Sequence, residues 1–216
     1  MTEKLPSYFE YLNDLKTRYT PKNILDIGAF EGEFSKVCKY LWNDVNCFMI
    51  EANTNWEHQL KLTNIPYVIE CLGDSEREVE FFNDPNDLLS SGYSYYKENT
   101  KLFQNPVVEK KTLKRLDSLV EPIYDFIKID TQGSELDIIK GGETIFSSAN
   151  VVVIECCLPT MEYNIGGATL NDIMVQMQDL GFNTFEPVCT WLWNGSVFGD
   201  HYTNGFPMQC DVMFSK

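Results

Sequence analysis

The first seventy residues alternate between amphipathic stretches and short apolar runs. Apolar positions recur at helical spacing over residues 3–19, 33–42 and 54–62, which predicts three helices. Apolar runs at 23–27, 47–50 and 67–71 are typical of buried strands. Because short connections join each strand to the next helix, this order predicts a parallel sheet and an α/β fold.

The same alternation returns in the second half of the chain after a less regular middle. We predict short strands at 78–82 and 107–113, separated by a loop or lid at 83–106 that is rich in Asn, Ser and Tyr. Further strands are predicted at 125–129, 151–154, 182–185 and 210–214, helices within TQGSELDIIKGG and at 170–180, and a hairpin at 188–199. Since no repeat or linker divides the chain, we expect a single domain over 1–216. It comprises an N-terminal helix at 1–21 and a core at 22–216, with a less typical hairpin region at 187–208.

Composition and charge narrow the possible partners. The 216 residues carry a net charge of −15, so the chain lacks the basic surface that nucleic-acid phosphates require, and we expect no nucleic-acid partner. Seven cysteines without a C-x-x-C motif, and two histidines far from any cysteine pair, favour reduced thiols in the cytoplasm over a zinc site. No apolar run reaches about 18 residues and the first residues are polar, so we expect neither a membrane span nor a signal peptide.

Acidic residues stand at or just after the ends of five predicted strands. They are Asp26, Glu51, Asp74, Asp130 and Glu155. Ligands of open α/β sheets bind beyond the carboxyl ends of the strands, and buried carboxylates are costly without a partner. A single such acid is readily explained as a helix cap, but five at one edge favour a binding site.

The stretch LDIGAFEGEF, residues 25–34, predicts a strand, a glycine turn and a helix. Gly28 and Gly32 allow an unusual turn and close approach of a ligand, although a plain tight turn is an equal alternative. Glu51 lies 23 residues after Gly28, where dinucleotide-binding folds place an acid that binds the ribose hydroxyls; its alternative role is to cap the next helix.

The acids around this turn point to a particular cofactor. Glu31 and Glu33 would repel a pyrophosphate, whereas a cationic nucleoside without phosphate, such as S-adenosylmethionine, suits the turn. We expect Asp26 to face the positive methionine end and Asp74 to accept from the adenine amino group.

A second polar cluster occupies residues 128–135, KIDTQGSE. Lys128 interrupts an apolar strand and must reach solvent or pair with an acid. We predict that it pairs with Glu135, either within a functional site or as an internal ion pair that only fixes the turn. Asp130 ends the strand beside the position expected for the transferred methyl group.

Taken together, these motifs resemble the FkbM family of S-adenosylmethionine-dependent methyltransferases. The resemblance spans roughly residues 22–215 and rests on LDIGA (25–29) with Gly32, IE (50–51), TLKRLD (112–117), IKID (127–130) with Gly133 and Glu135, KG (140–141), VIE (153–155), GF (181–182) and QCDVMF (209–214). It implies a Rossmann-like class I methyltransferase fold: a three-layer sandwich around a mostly parallel seven-stranded sheet with the last strand antiparallel. It also implies O-methylation, commonly of hydroxyls on sugars or natural products.

The resemblance also implies where the cofactor lies. It places Ala29 and Phe30 in the cofactor turn, although the family often has Asn where this chain has Phe30. We predict that Phe30 packs beside the methionine arm or under the turn, and a solvent-facing Phe30 would contradict this. The loop containing Ser91 is expected to close over the cofactor.

Methyl transfer to a hydroxyl needs a group that takes up its proton. Asp130 and Glu155 are the first candidates, and His201 is a second. The two acids could instead hold a divalent metal, which nothing in the sequence indicates. Tyr93, Tyr95, Tyr96, Trp191 and Trp193 are candidate stacking platforms for a sugar, with core packing as the alternative role.

Two other functional classes remain open at this point. One is a nucleotide-dependent oxidoreductase on a similar sheet, against which the missing third glycine and the acidic turn count. The other is a non-catalytic cofactor-binding module, against which the retained acids count. The expected partner is a small-molecule or glycan acceptor, and the sequence gives no oligomeric state.

Overall fold

The computed structural model describes residues 7–83, 94–97, 106–158, 164–193, 198–199 and 206–216. Its helices are α1 (Ser7–Leu15), α2 (Glu33–Leu41), α3 (Glu57–Thr63), α4 (Glu135–Gly141), α5 (Glu143–Ser148) and α6 (Leu170–Asp179), with 3₁₀ turns at Thr54–Trp56 and Leu116–Ser118. Its strands are β1 (Asn23–Ile27), β2 (Asn46–Glu51), β3 (Tyr67–Ile69), β4 (Cys71–Leu72), β5 (Glu78–Asn83), β6 (Val107–Lys114), β7 (Phe126–Ile129), β8 (Val151–Cys157), β9 (Thr184–Trp193), β10 (Phe198–Gly199) and β11 (Phe206–Ser215).

The main sheet has the order β10-β9-β11-β8-β7-β1-β2-β3. Strands β3, β2, β1, β7 and β8 run parallel, and β11 pairs antiparallel with both β8 and β9. The seven-stranded, mostly parallel sheet with an antiparallel last strand is therefore confirmed. The two-residue strand β10 adds an edge to it and forms the predicted hairpin with β9.

Helices cover both faces of this sheet. On one face, α1, α2 and α3 bury Leu12, Leu15, Phe34, Cys38, Leu41 and Leu60. On the other face, α4, α5 and α6 bury Ile138, Ile139, Ile145, Phe146, Ile173 and Met177. The result is the expected three-layer α/β arrangement. Within the described ranges, no helix has the length and apolar character that crossing a membrane requires.

Charged residues of the central strands gather on one face of the sheet. Side chains alternate between the two faces along a strand. In β1, β7, β8 and β11, an apolar residue that packs in the α1–α3 core lies two positions from a charged residue. The charged residues therefore lie on the same face of the sheet as that core, near the carboxyl edge. This charged cluster consists of Asp26, Lys128, Asp130, Glu155 and Asp211.

The structure differs from the predicted elements in several places. One is β9, which runs unbroken over Thr184–Trp193 where we predicted a strand at 182–185 and a separate hairpin from 188. Residues 67–71 do not form one strand, because the chain leaves the main sheet at Glu70 and β4 joins a second sheet of order β4-β6-β5. Gly141 ends α4 as expected, but α5 follows at once and was not predicted. The predicted role of Gly181 is confirmed: its φ is 89° and Phe182 N–H bonds to the Met177 carbonyl, which closes α6.

Some predictions fall on residues that are not described. Only Asn83, residues 94–97 and Pro106 of the expected loop or lid are described, and Ser94 pairs with Phe82 of β5. The turn of the hairpin at 194–197 lies outside the described residues. The division into an N-terminal helix at 1–21 and one catalytic core stays a prediction.

Candidate functional site

The turn after β1 is held in an unusual backbone conformation. We call residues 28–32 the first loop. Gly28, Phe30 and Gly32 have φ values of 72°, 53° and 75°. A Cβ on Gly28 would stand 1.8 Å from the Asp130 carbonyl oxygen, so only glycine fits there. Gly32 lies against Met49 and Thr63, so its absent side chain makes room for helix packing rather than for a ligand.

Glu51 fixes the first loop from the end of β2. Its Oε2 accepts from the Phe30 N–H at 2.8 Å, and its Oε1 accepts from the Asn53 N–H at 2.7 Å. The residue is 7% exposed, and burial raises the pKa of its carboxyl although the backbone N–H groups work in the other direction. The acid predicted at this strand end is present. It holds the first loop in place through backbone hydrogen bonds and is also a candidate residue for binding the cofactor.

Phe30 does not lie under the first loop. It is 38% exposed and its ring lies 4.2 Å from the ring of Trp56. The prediction of a position shielded from solvent is therefore wrong, because Trp56 at the start of α3 provides an apolar partner on the outer side. Ala29 is buried beneath the loop, where its N–H bonds to the Ile50 carbonyl at 3.2 Å.

Asp26 is fully enclosed beneath the first loop. Its exposure is 0%, its Oδ2 accepts from Ser35 Oγ at 2.7 Å, and its Oδ1 lies 3.7 Å from Lys128 Nζ. Burial raises the pKa of this carboxyl, against the effect of Lys128. Direct contact with a methionine moiety stays a prediction, and this geometry instead favours support of the loop from below.

Lys128 joins the two loops of the site. Its Nζ donates to the Gly28 carbonyl at 2.8 Å and lies 3.4 Å from Asp130 Oδ2. Burial alone would lower the pKa of Lys128, but the carboxylates of the charged cluster outweigh burial and raise it. The predicted pairing with Glu135 is wrong, because the strand register places Asp26 and Asp130 on the same face as the ammonium.

Glu135 instead closes the turn after β7. We call residues 131–135 the second loop. The Glu135 carboxylate accepts the N–H groups of Thr131 at 2.8 Å and of Gly133 at 3.0 Å. Burial raises the pKa of Glu135 to about 7. In this loop Gln132 and Gly133 have φ values of 55° and 101°.

Asp130 and Glu155 lie close together at the carboxyl edge, where one amide nitrogen of Gln132 bridges their carboxyl groups. Gln132 Nε2 donates to Asp130 Oδ1 at 3.0 Å and to Glu155 Oε2 at 2.8 Å, and Gln209 Nε2 donates to the same Oε2 at 3.1 Å. Burial, then the charges of Asp130, Asp211 and Glu135, raise the pKa of Glu155 well above its ordinary value. The structure thus brings together the two predicted catalytic acids.

Sequence reasoning missed three members of this group, namely Gln132, Gln209 and Asp211. Each is a polar residue next to or within an apolar strand, the same signal that singled out Lys128. All three are buried, and Asp211 lies directly opposite Glu155 in the sheet.

Asp74 lies in a separate surface group after β4. It forms an ion pair with Arg77 and accepts from Ser75 Oγ at 3.0 Å. These contacts lower the pKa of its carboxyl although burial opposes them. Its predicted contact with the adenine stays a prediction.

Tyr95 and Tyr96, two of the predicted stacking residues, direct their hydroxyl groups to α4 near this group. The hydroxyls of Tyr95 and Tyr96 donate to Asp137 Oδ2 at 3.1 and 2.8 Å. Their rings lie 4.9 Å apart. Sugar stacking on either ring stays a prediction.

Several predicted site residues are not described. Ser91, Tyr93 and His201 lie outside the described residues, as do the side chains of Trp191 and Trp193. Within the part of the chain that is described, no three His, Cys, Asp or Glu residues are arranged to hold a metal ion.

Comparison with known proteins places this geometry in a family. The signature of the methyltransferase FkbM domain matches residues 26–184. The structure of an FkbM methyltransferase from Methylobacillus flagellatus KT is similar with a TM-score of 0.56 and 16% identity, over 90% of this chain and 43% of that protein. A precorrin-6y C5,15-methyltransferase from Geobacter metallireducens GS-15 is similar with a TM-score of 0.53 and 14% identity, over 100% of this chain and 94% of that one.

These structural likenesses show a shared fold, and this chain spans less than half of the solved FkbM protein. A search of curated proteins finds no significant match. The family signature covers more than half of the sequence, from Asp26 in β1 to Thr184 at the start of β9, and includes both loops of the site. The chain belongs to the FkbM methyltransferase domain family.

Proposed function

We propose that the chain is an S-adenosylmethionine-dependent O-methyltransferase that acts on a hydroxyl of a sugar, a glycan or a glycosylated natural product. The observation that carries the proposal is the Glu51 carboxylate. It is fixed between the first loop and β2, on the sheet edge that also holds the Asp130–Glu155 pair. An acid able to bind ribose hydroxyls and an acid able to accept a proton thus lie on one edge of the sheet, which supports methyl transfer from a nucleoside donor.

The first loop fits this cofactor better than it fits a nucleotide with a pyrophosphate. Glu31 and Glu33 lie at the start of α2, where a phosphate would otherwise be favoured. The exposed Phe30 and the adjacent Trp56 offer an apolar surface for a nucleoside. The residues that would hold the cofactor are the first-loop backbone, Glu51 for the ribose hydroxyls, and Asp74 for the base; Asp26 would support the loop from below. When bound, S-adenosylmethionine supplies an activated methyl group.

The second loop supports the acceptor side of the reaction. The Asp130 side chain is 21% exposed, so a hydroxyl can reach it, and Lys128 Nζ lies 3.4 Å from its Oδ2. We assign to Asp130 the removal of the hydroxyl proton, with Glu155 behind it. Asp130 therefore orients the acceptor oxygen as well as receiving its proton.

A surface pocket beside the second loop is the proposed place for the acceptor. Its volume is about 220 Å³, and its lining includes Gly133, Asp137, Asp172 and the Tyr96 ring. Carboxylates next to an aromatic ring suit a polyhydroxylated ring that offers both hydroxyl groups and a C–H face. This supports a sugar as the acceptor class.

The test is transfer of a radiolabelled methyl group from S-adenosylmethionine to a panel of free sugars, lipid-linked glycans and glycosylated natural products. We expect incorporation into at least one hydroxyl-bearing acceptor. We also expect it to fall about 100-fold or more in Asp130→Asn, since the proton acceptor is lost. The exposed Asp179→Asn is the matched control and should retain full activity.

The same assay separates the two rival functions. Binding of NAD instead of S-adenosylmethionine would favour an oxidoreductase. Tight cofactor binding without incorporation into any acceptor would favour a non-catalytic module. Either result would overturn the proposal.

A further inference from the structure

One buried amide next to the proposed ribose-binding acid is unpaired in the described part of the chain. The Asn53 side chain is 1% exposed, and its Nδ2 forms no hydrogen bond within those residues. An unpaired buried donor lowers the stability of a protein, and the great majority of such groups are paired in folded proteins. Asn53 Nδ2 is therefore a candidate donor to a ligand.

The orientation of this amide is fixed by the start of the 3₁₀ turn at Thr54–Trp56. Asn53 Oδ1 accepts from the Asn55 N–H at 3.0 Å and so caps the turn. Because an N–H group bonds to the oxygen of an amide and not to its nitrogen, Nδ2 is the end left with hydrogens to donate. Gln59 Oε1 is also unpaired within the described ranges, so it is not the acceptor for Nδ2.

The backbone places Asn53 beside the Glu51 carboxylate. The Asn53 N–H donates to Glu51 Oε1 at 2.7 Å, while Glu51 Oε2 accepts from the Phe30 N–H at 2.8 Å. From the second sheet, Lys111 Nζ donates to the Ala52 carbonyl at 2.6 Å. This short segment is thus held between the first loop and the second sheet, so the unpaired amide has a fixed place next to the acid.

The same segment carries part of the apolar surface proposed for the nucleoside. The Trp56 ring lies 4.2 Å from the Phe30 ring, and the Trp56 N–H bonds to the Asn53 carbonyl at 3.2 Å. The acid, the unpaired amide and an aromatic ring therefore all come from residues 51–56, which follow the end of β2.

A ribose needs hydrogen-bond donors as well as acceptors from its site. Each ribose hydroxyl has one hydrogen to donate and lone pairs that accept. An ionised carboxylate only accepts, so Glu51 binds the hydrogens of the hydroxyls and leaves their oxygens without a donor. An amide N–H beside Glu51 supplies the complementary hydrogen bond.

We propose that Asn53 Nδ2 binds the cofactor by donating to the oxygen of a ribose hydroxyl whose hydrogen is donated to Glu51. This inference rests on the proposed methyltransferase function, since it takes the ribose of S-adenosylmethionine as the ligand. Asn53 then has two roles, because its Oδ1 caps the turn and its Nδ2 binds the nucleoside. Binding of the nucleoside pairs a donor that is unpaired without it.

The first test is calorimetric titration of S-adenosylhomocysteine into two variants that keep the cap of the turn. Asn53→Asp preserves the shape of the side chain and its accepting oxygen, and Asn53→Ser preserves an acceptor without adding a charge. We expect about 5- to 10-fold weaker binding in both. Exposed Asn55→Asp, which adds the same charge to the same turn, is the matched control and should bind within about twofold of the wild type. Wild-type affinity in both Asn53 variants would overturn the inference.

A second test separates a ribose contact from a general effect on the fold of the site. The 2′-deoxy and 3′-deoxy forms of S-adenosylhomocysteine each lack one ribose hydroxyl. In the wild type at least one of them should bind about 10-fold more weakly than the parent compound. In Asn53→Ser that ratio should shrink at least about threefold, because the hydroxyl oxygen has already lost its donor. Ratios equal to those of the wild type would mean that Asn53 acts only on the fold, against the inference.

The outcomes also distinguish this inference from the proposed function. A loss of affinity specific to one hydroxyl supports the ribose contact even if no acceptor is methylated, in which case the methyltransferase proposal alone fails. An equal loss for all three ligands in a protein that does methylate an acceptor overturns the ribose contact alone. No binding of S-adenosylhomocysteine by the wild type would overturn both.

Discussion

The first and second loops have similar backbone conformations but are held in place by different contacts. Each follows a central strand, each contains a non-glycine residue with a left-handed backbone, and each is closed by a glutamate that accepts backbone N–H groups. In the first loop that glutamate is Glu51, from the neighbouring strand. In the second it is Glu135, from the loop itself. The first loop therefore depends on the sheet, whereas the second supports itself.

The two left-handed residues also point in opposite directions. Phe30 turns its ring outward to Trp56, while Gln132 turns its amide inward to the acid pair. The same backbone conformation thus presents an exposed apolar ring in one loop and directs an amide to two carboxyl groups in the other. Four changes test this comparison.

The largest effect is expected from Lys128→Met, which removes the link between the loops. The buried carboxylate of Asp26 and the partly exposed carboxylate of Asp130 lose their cation, so we expect about 3–5 kcal/mol lower free energy of unfolding. Urea denaturation measures this. The exposed Lys36→Met should change stability by less than about 0.5 kcal/mol, and an equally small effect of Lys128→Met would show that the link is unimportant.

Gly28→Ala tests the close approach of the two loops. The new Cβ would meet the Asp130 carbonyl and the φ of 72° disfavours alanine, so we expect a loss of about 3 kcal/mol. Gly166→Ala is the matched control, since its φ is 79° but the nearest atom to its new Cβ would be in the Tyr96 ring, 3.7 Å away. It should lose only about 1 kcal/mol. Equal losses in thermal unfolding would mean that contact with Asp130 contributes nothing.

Because Glu135 closes the second loop and has a raised pKa, the free energy of unfolding of the protein should depend on pH. The pKa of Glu135 is raised from 4.5 to about 7 in the folded protein, so the folded state binds more protons between those values. The free energy of unfolding should therefore fall as pH rises through this window, by about 3 kcal/mol from this group. Glu135→Gln should remove that part of the slope, and exposed Glu143→Gln should not. Parallel curves for wild type and Glu135→Gln would contradict the assignment.

The smallest effect is expected at Phe30. Phe30→Asn loses the contact with Trp56 but gains a residue that tolerates the left-handed backbone, so stability should change by less than about 1 kcal/mol. Phe30→Ala loses the contact without that gain and should be about 1 kcal/mol less stable than Phe30→Asn. The reverse order in urea denaturation would show that the backbone strain is negligible.

The strand pattern was predictable because each central strand is an apolar run ended by a polar residue. Asn23–Ile27 matches its prediction at both ends, and Glu51 ends β2 as expected. By contrast, the break at Glu70 is invisible in the pattern, since residues on both sides have strand character. Sequence alone does not say which of two sheets they join.

The contacts within the site were less predictable than the residues that form it. Lys128 was recognised as needing an acid, but its partners follow from the register of β1 against β7, which no local pattern gives. The role of Glu135 depends on the left-handed Gln132, a conformation that glutamine rarely adopts. Gln209 reaches Glu155 only because β11 pairs antiparallel with β8.

The most direct test of the proposed cofactor site is calorimetric titration with S-adenosylhomocysteine. We predict binding on the order of micromolar for the wild type, at least about 10-fold weaker binding in Glu51→Gln, and no heat with NAD. Exposed Glu143→Gln should bind like the wild type. No heat with S-adenosylhomocysteine, or equal affinity in wild type and Glu51→Gln, would contradict the assignment of Glu51 and the first loop to the cofactor.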